Sequence, residues 1–119
     1  MKVSITTNSG RKVRVTCFAK VGHFALTHTV NADGKTAMRI RGRHAWTVTH
    51  VLTGASVCAH IRRREDARRL ATRLEVCGDS WEFSTVPRDD KVRKMKAADI
   101  IRAFQASDAV YVVCISVPR

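Results

Sequence analysis

At 119 residues the chain has room for one domain with a modest core, and its 45% hydrophobic content is ordinary for a folded protein. No apolar run approaches the roughly 18–20 residues that cross a bilayer, and the opening MKVSITTNSG lacks the apolar stretch of an export signal. A cytoplasmic protein with no membrane partner is therefore expected, and the formal net charge of +12 directs attention to polyanions.

Residues 2–7 (KVSITT) alternate, with Val3 and Ile5 on one face, as a half-buried strand does. Asn8-Ser9-Gly10 is a turn signal, and residues 12–19 answer as the return strand, with Val13, Val15 and Cys17 inward and Lys12, Arg14 and Thr16 outward. A third strand over 23–30 places Phe24, Leu26, His28 and Val30 on one face. After a turn at 31–34, a fourth over 36–41 points Met38 and Ile40 in, Arg39 and Arg41 out, and is interrupted by Gly42. Residues 46–52 and 55–61 then form a hairpin about Thr53-Gly54.

The spacing of Ala67, Leu70, Ala71 and Leu74 predicts an amphipathic helix over 64–77, with Gly78 at its C-terminal cap. Residues 81–86 read as a short strand ended by Pro87. Asp89 or Asp90 caps a second helix running to about residue 106 through Ala97, Ile100, Ile101 and Phe104. Residues 109–117 (AVYVVCISV) are apolar on both faces, as in a central covered strand. The expected fold class is a single α+β domain: a mostly antiparallel sheet of six or seven strands with two helices packed on one face.

Charge is unevenly divided. Residues 1–44 hold nine Lys or Arg against one acid, residues 45–73 six Arg against two acids, and residues 74–119 seven of each sign. The excess lies wholly in a basic half, 1–73, beside a neutral half, 74–119. Arg outnumbers Lys fifteen to seven, and guanidinium forks suit bidentate phosphate contacts. A GC-rich genome also enriches Arg, but does not distribute it unevenly.

Two groups of arginines follow as anion-binding candidates. Arg62, Arg63 and Arg64 stand at the start of the first helix, where the dipole disfavours cations unless an anion docks, and Arg68 and Arg69 extend the charge along it. Arg14, Arg39 and Arg41 point outward from strands, and form one positive platform if the first two hairpins share a sheet. Aromatic content is thin at 6%, and Phe18 is the only evident outward aromatic. Trp46, Trp81, Phe83, Phe104 and Tyr111 read as packing residues, with one tryptophan open to a role as a partner anchor.

The five histidines and four cysteines have no metal-ligand spacing, and no nucleophile elbow, phosphate loop or dinucleotide fingerprint occurs. Catalytic residues, metal and cofactor are accordingly not expected. With no export signal, Cys17, Cys58, Cys77 and Cys114 read as reduced small hydrophobes.

The segment W-x-V-x-H-x-x-T-G-x-x-V at 46–57, followed by A-x-x-L-A-x-x-L at 67–74, resembles small accessory proteins of bacteriophages and mobile elements. That resemblance implies a protein binding host nucleic-acid machinery, as anti-CRISPR proteins do, and assigns no functional residue. The leading expectation is a non-catalytic binding protein that contacts DNA, RNA or a nucleoprotein complex through its arginines. The alternative is a phage-encoded inhibitor of the anti-CRISPR kind, working by contact with a host protein partner. A small nuclease is third. A homodimer joined through strand 109–117 or a hairpin edge stays open.

Overall fold

The structure, a computed structural model, describes residues 1–7, 10–31 and 36–111. The alternating pattern of the first hairpin is realised by β1 (Lys2–Thr6) and β2 (Lys12–Thr16), which pair Val3 with Val15 and Ile5 with Val13. There follow β3 (Ala19–Val21), β4 (Phe24–His28), β5 (Arg39–Ile40), β6 (Arg43–His44), β7 (Trp46–His50) and β8 (Ser56–Ile61). The helices are α1 (Arg64–Glu75), α2 (Asp89–Arg93) and α3 (Lys96–Gln105).

The class is α+β with antiparallel pairing throughout, but the strands do not join into one sheet of six or seven. Among the described residues they divide into β1-β2, a central β3-β4-β7-β8 and a small β5-β6. The cause is local. The return strand stops at Thr16, and Ala19–Val21 changes partner to β4. The predicted fourth strand turns back on itself at Arg41 and Gly42, whose positive φ angles of 54° and 80° are what a two-residue type I′ hairpin requires.

Among the described residues three helices stand where two were predicted. The apolar stripe of Ala97, Ile100, Ile101 and Phe104 belongs to α3 alone, while 91–94 (KVRK) contributes nothing to the core cluster and only Val92 there is half-buried. Met95 is extended (φ −72°, ψ 144°) and packs against the core, which separates α2 from α3. Asp89 and Asp90 lie in the first turn of α2 and make no cap hydrogen bond. The cap of α3 comes from Asp79, whose carboxylate accepts from Lys96 N (3.0 Å) and Ala97 N (2.7 Å).

No strand forms over 81–86. Trp81 is buried instead, its indole N–H donating to Leu74 O at 2.9 Å and its ring edge-on to Phe24. The strand predicted for 109–117 lies outside the described residues beyond Tyr111. Its first residues extend the β8 edge, with Val110 bridging Ile61 and Arg62 N donating to Ala109 O at 2.7 Å.

Successive residues of a strand point to opposite faces, and both faces of β4 and β7 are covered. Towards the helices, Phe24, Leu26 and Val48 are fully buried against Ala67, Leu70, Ala71 and Leu74 of α1. Away from them, Ala25, Thr27, Thr29, Thr47 and Thr49 are also buried. The β1-β2 hairpin is tied over this second face by Thr6 N donating to Gly54 O at 2.9 Å. A side chain at Gly54 would press on Ser4 O, so the turn accepts the hairpin only with glycine there. Cys17, Cys58 and Cys77 are free thiols, and burial raises that of Cys58 to about 11.

The start of β4 is held to the end of α1 by His23. Its backbone N–H and Nδ1 contact the Glu75 carboxylate at 2.9 and 2.8 Å, and Nε2 meets Glu82 at 2.6 Å. Hydrogen bonds to Glu82 and then to Glu75 raise the His23 pKa. A raised folded-state value contributes stability that is complete below the ordinary value near 6.5 and is lost as pH climbs through the folded value. His28 and His60, both lowered chiefly by burial, work in the opposite sense. The His23 contribution is therefore read by difference: the urea-midpoint gap between wild type and His23→Gln is expected to be wide at pH 5.5 and to narrow by pH 8.5. A gap that is constant with pH refutes the assignment.

Candidate nucleic-acid interface

The predicted arginines separate in the structure. Arg14 lies on β2 and Arg39 on β5, in different sheets, so the single-sheet platform does not form. Arg62, Arg63 and Arg64 are adjacent in sequence but have different neighbours. Arg62 is half-buried over the Tyr111 ring at 4.6 Å, and its Nε is buried with no hydrogen-bond partner. Arg63 precedes α1 and meets Asp66 at 3.4 Å, and Arg69 meets the other oxygen of the same carboxylate at 3.5 Å. Arg64 donates to Phe18 O at 2.9 Å and lies 5.8 Å from the centre of the Trp46 ring. Arg14, Arg41 and Arg68 are exposed and make no ion pair with the described residues.

Asp66 thus occupies the helix N-terminus that sequence reasoning left open for an external anion. It is buried, lies in the first turn, and answers both the dipole and two guanidinium groups.

What the sequence concealed is an aromatic patch beside Arg64. β4 and β7 pair with His28 opposite Trp46. Phe18 packs on both, with ring centres 4.3 Å from His28 and 5.2 Å from Trp46. His44, at the end of β6, stacks on His28 at 4.0 Å with the rings 5° from parallel. Phe18 is 37% exposed and the other three rings are half-buried. Burial, the neighbouring His44 and Arg39 together lower the His28 pKa.

Arg39 joins the patch to the β5-β6 hairpin. Its guanidinium donates to His44 Nε2 (3.1 Å) and to Gly42 O (3.2 Å). An Nε2 that accepts leaves the His44 proton on Nδ1, which is buried without a partner. The hairpin itself, Arg39-Ile40-Arg41-Gly42-Arg43-His44, exposes three arginines within five residues. One of them, Arg41, takes a left-handed conformation that costs a non-glycine residue about 1 kcal/mol.

A surface of this composition stacks flat rings and pairs phosphates. The signal for it lay in the pairing of β4 with β7, two strands separated by the β5-β6 excursion, which no local pattern discloses. Among the described residues no cluster of three or more His, Cys, Asp or Glu is placed to hold a metal ion, and no helix is long and apolar enough to cross a membrane. Comparison with protein-family models, with curated proteins and with solved structures finds no match to this chain.

Two substitutions test this geometry. Asp66→Asn is expected to lower stability by about 1 kcal/mol and, by releasing Arg63 and Arg69, to delay elution from heparin. Arg41→Asn is expected to raise stability by about 0.5–1 kcal/mol, since asparagine tolerates positive φ, while bringing elution to lower salt. Thermal melts and heparin chromatography read both.

Proposed function

We propose that the protein is a non-catalytic, single-strand-preferring nucleic-acid binder, free or within a nucleoprotein complex. The observation that carries this reading is the joining of Phe18, His28, His44 and Trp46 to Arg39 and Arg64 in one surface, beside the arginine hairpin. Bases offer π-faces to such rings whatever their identity, and phosphates pair with the guanidinium groups. The interface therefore gives affinity and salt dependence, with little sequence discrimination.

The half-buried rings serve as a floor on which one or two bases stack, and Phe18 is the most accessible of them. Arg41 and Arg43 on the hairpin, with Arg68 on α1, supply further phosphate contacts. The neutral half, 74–119, carries the scaffold helices α2 and α3 and does not compete for the ligand.

Fluorescence anisotropy with mixed-sequence single-stranded DNA and RNA at low and moderate salt tests the reading. Binding at low salt is expected, and Phe18→Ala should weaken it roughly tenfold, the worth of about one stacked base. Arg41→Ser with Arg43→Ser should flatten the salt slope by roughly 0.7 for each phosphate that these arginines neutralise. The reading fails if mixed-sequence strands do not bind at low salt, or if Phe18→Ala leaves affinity unchanged.

A further inference from the structure

The sheet face turned away from the helices borders a cavity of about 460 Å³, within the size range of small-ligand sites. Its wall is a square of four threonines on β4, β7 and the residue after β4. Thr27 and Thr49 share a hydrogen bond at 3.3 Å, and Thr29 and Thr47 share one at 2.7 Å. In each pair one hydroxyl proton is spent on the partner and the other remains to be donated. Buried hydroxyls are costly where valine, of the same shape, would fill the space without a polar atom.

Strain is stored at the same wall. β8 bulges opposite Thr47, fitting Ala59 and His60 where β7 has one residue, and His60 takes φ 61°. Left-handed conformations in residues other than glycine concentrate where a side chain or backbone group must be aimed. Here the bulge turns His60 N–H towards Thr29 Oγ1 at 3.3 Å and places His60 in the cavity lining.

The lining selects a chemical class by elimination. In a chain of net charge +12, the cavity's described residues include no Lys, Arg, Asp or Glu, so among them a phosphate or carboxylate finds no counter-charge. Ile5, Val30, Met38 and Ala59, interspersed with Thr6, Asn31, Ser56 and His60, give the rest of the lining a mixed surface whose apolar part would leave some hydroxyls of a sugar unpaired. A hydrocarbon would strand the threonines. A neutral, flat molecule with apolar faces and a hydrogen-bonding edge meets both surfaces.

We propose that this cavity binds a nucleobase, with the Thr27, Thr29, Thr47 and Thr49 hydroxyls as its hydrogen-bonding wall. The base comes either from a free nucleoside or from a strand bound at the aromatic patch. The second source rests on the function proposed above, and the first does not. His28 belongs to both linings, but its ring packs with Trp46 on the helix side of the sheet while the threonines face the other way, so a base from a bound strand must pass the end of β4 to reach the cavity.

The test is threonine-methyl NMR of the full chain, titrated with adenosine, guanosine, cytidine and uridine, then with a short single strand and its abasic counterpart. Saturable shifts of the Thr29 and Thr47 methyls are expected, with roughly tenfold weaker binding in the shape-conserving Thr29→Val/Thr47→Val variant. Shifts with a free nucleoside support the site even if no strand binds, an outcome that sinks only the interface reading. Shifts with the intact strand that vanish with the abasic one support a strand base as the ligand. A wild-type threonine wall that neither nucleoside nor strand perturbs overturns the proposal, and if the strand meanwhile perturbs only the Phe18 patch the interface reading still stands. Should the variant melt early, the wild-type titrations decide alone.

Discussion

Along α1, Ala67, Leu70, Ala71 and Leu74 are wholly shielded from solvent against Phe24, Leu26 and Val48 of the central sheet. Truncating any one of these leucines to alanine removes about 2–5 kcal/mol, a large share of what holds a domain of this size together. The seam also fixes the rotation of the helix. With that stripe inward, Arg68, Arg69 and Arg73 have only the outward side to occupy, and Arg64 in the first turn arrives beside Phe18 and Trp46. The positive surface is thus a consequence of apolar packing on the opposite side of the same helix.

The central sheet has two buried faces of different chemistry. One is aliphatic and aromatic and closes against helices. The other is threonine-rich and lies beneath a two-stranded hairpin, where a cavity borders hydroxyl groups that would be costly against the apolar helix side. His50 shows how the helix side treats a polar group. Fully buried, it donates from Nε2 to Trp81 O at 2.8 Å and shares Nδ1 with the Thr53 hydroxyl at 2.9 Å, so neither nitrogen is left open.

Legibility from sequence followed the range of the interactions. The 46–61 hairpin and the core stripe of α1 were readable because their periodicity is contained within about thirty residues, and the division of charge needed only counting. The partition of the sheets was not, because β4 finds β7 across the whole β5-β6 segment. The aromatic patch is hidden for the same reason: by sequence Trp46 reads as packing, His28 shares the apolar face of its strand and His44 has no evident partner, and only that pairing places them together. Arg62, Arg63 and Arg64 made a cluster in the sequence, yet one packs on a ring, one faces a carboxylate and one holds a carbonyl. The His60 bulge left no trace in composition, since nothing in A-H-I announces a left-handed residue.

The Asp79 carboxylate has a bearing on how α3 is joined to α1. A ten-residue helix without its own capping side chain is marginal in water, and α3 takes its cap from a residue seventeen positions before its first N–H. Asp79 in turn sits in a loop moored to the end of α1 through the Trp81 indole. The first turn of α3 is thus satisfied by a loop that is itself held to α1, so the two helices are coupled through Asp79 and Trp81 as well as through their packing.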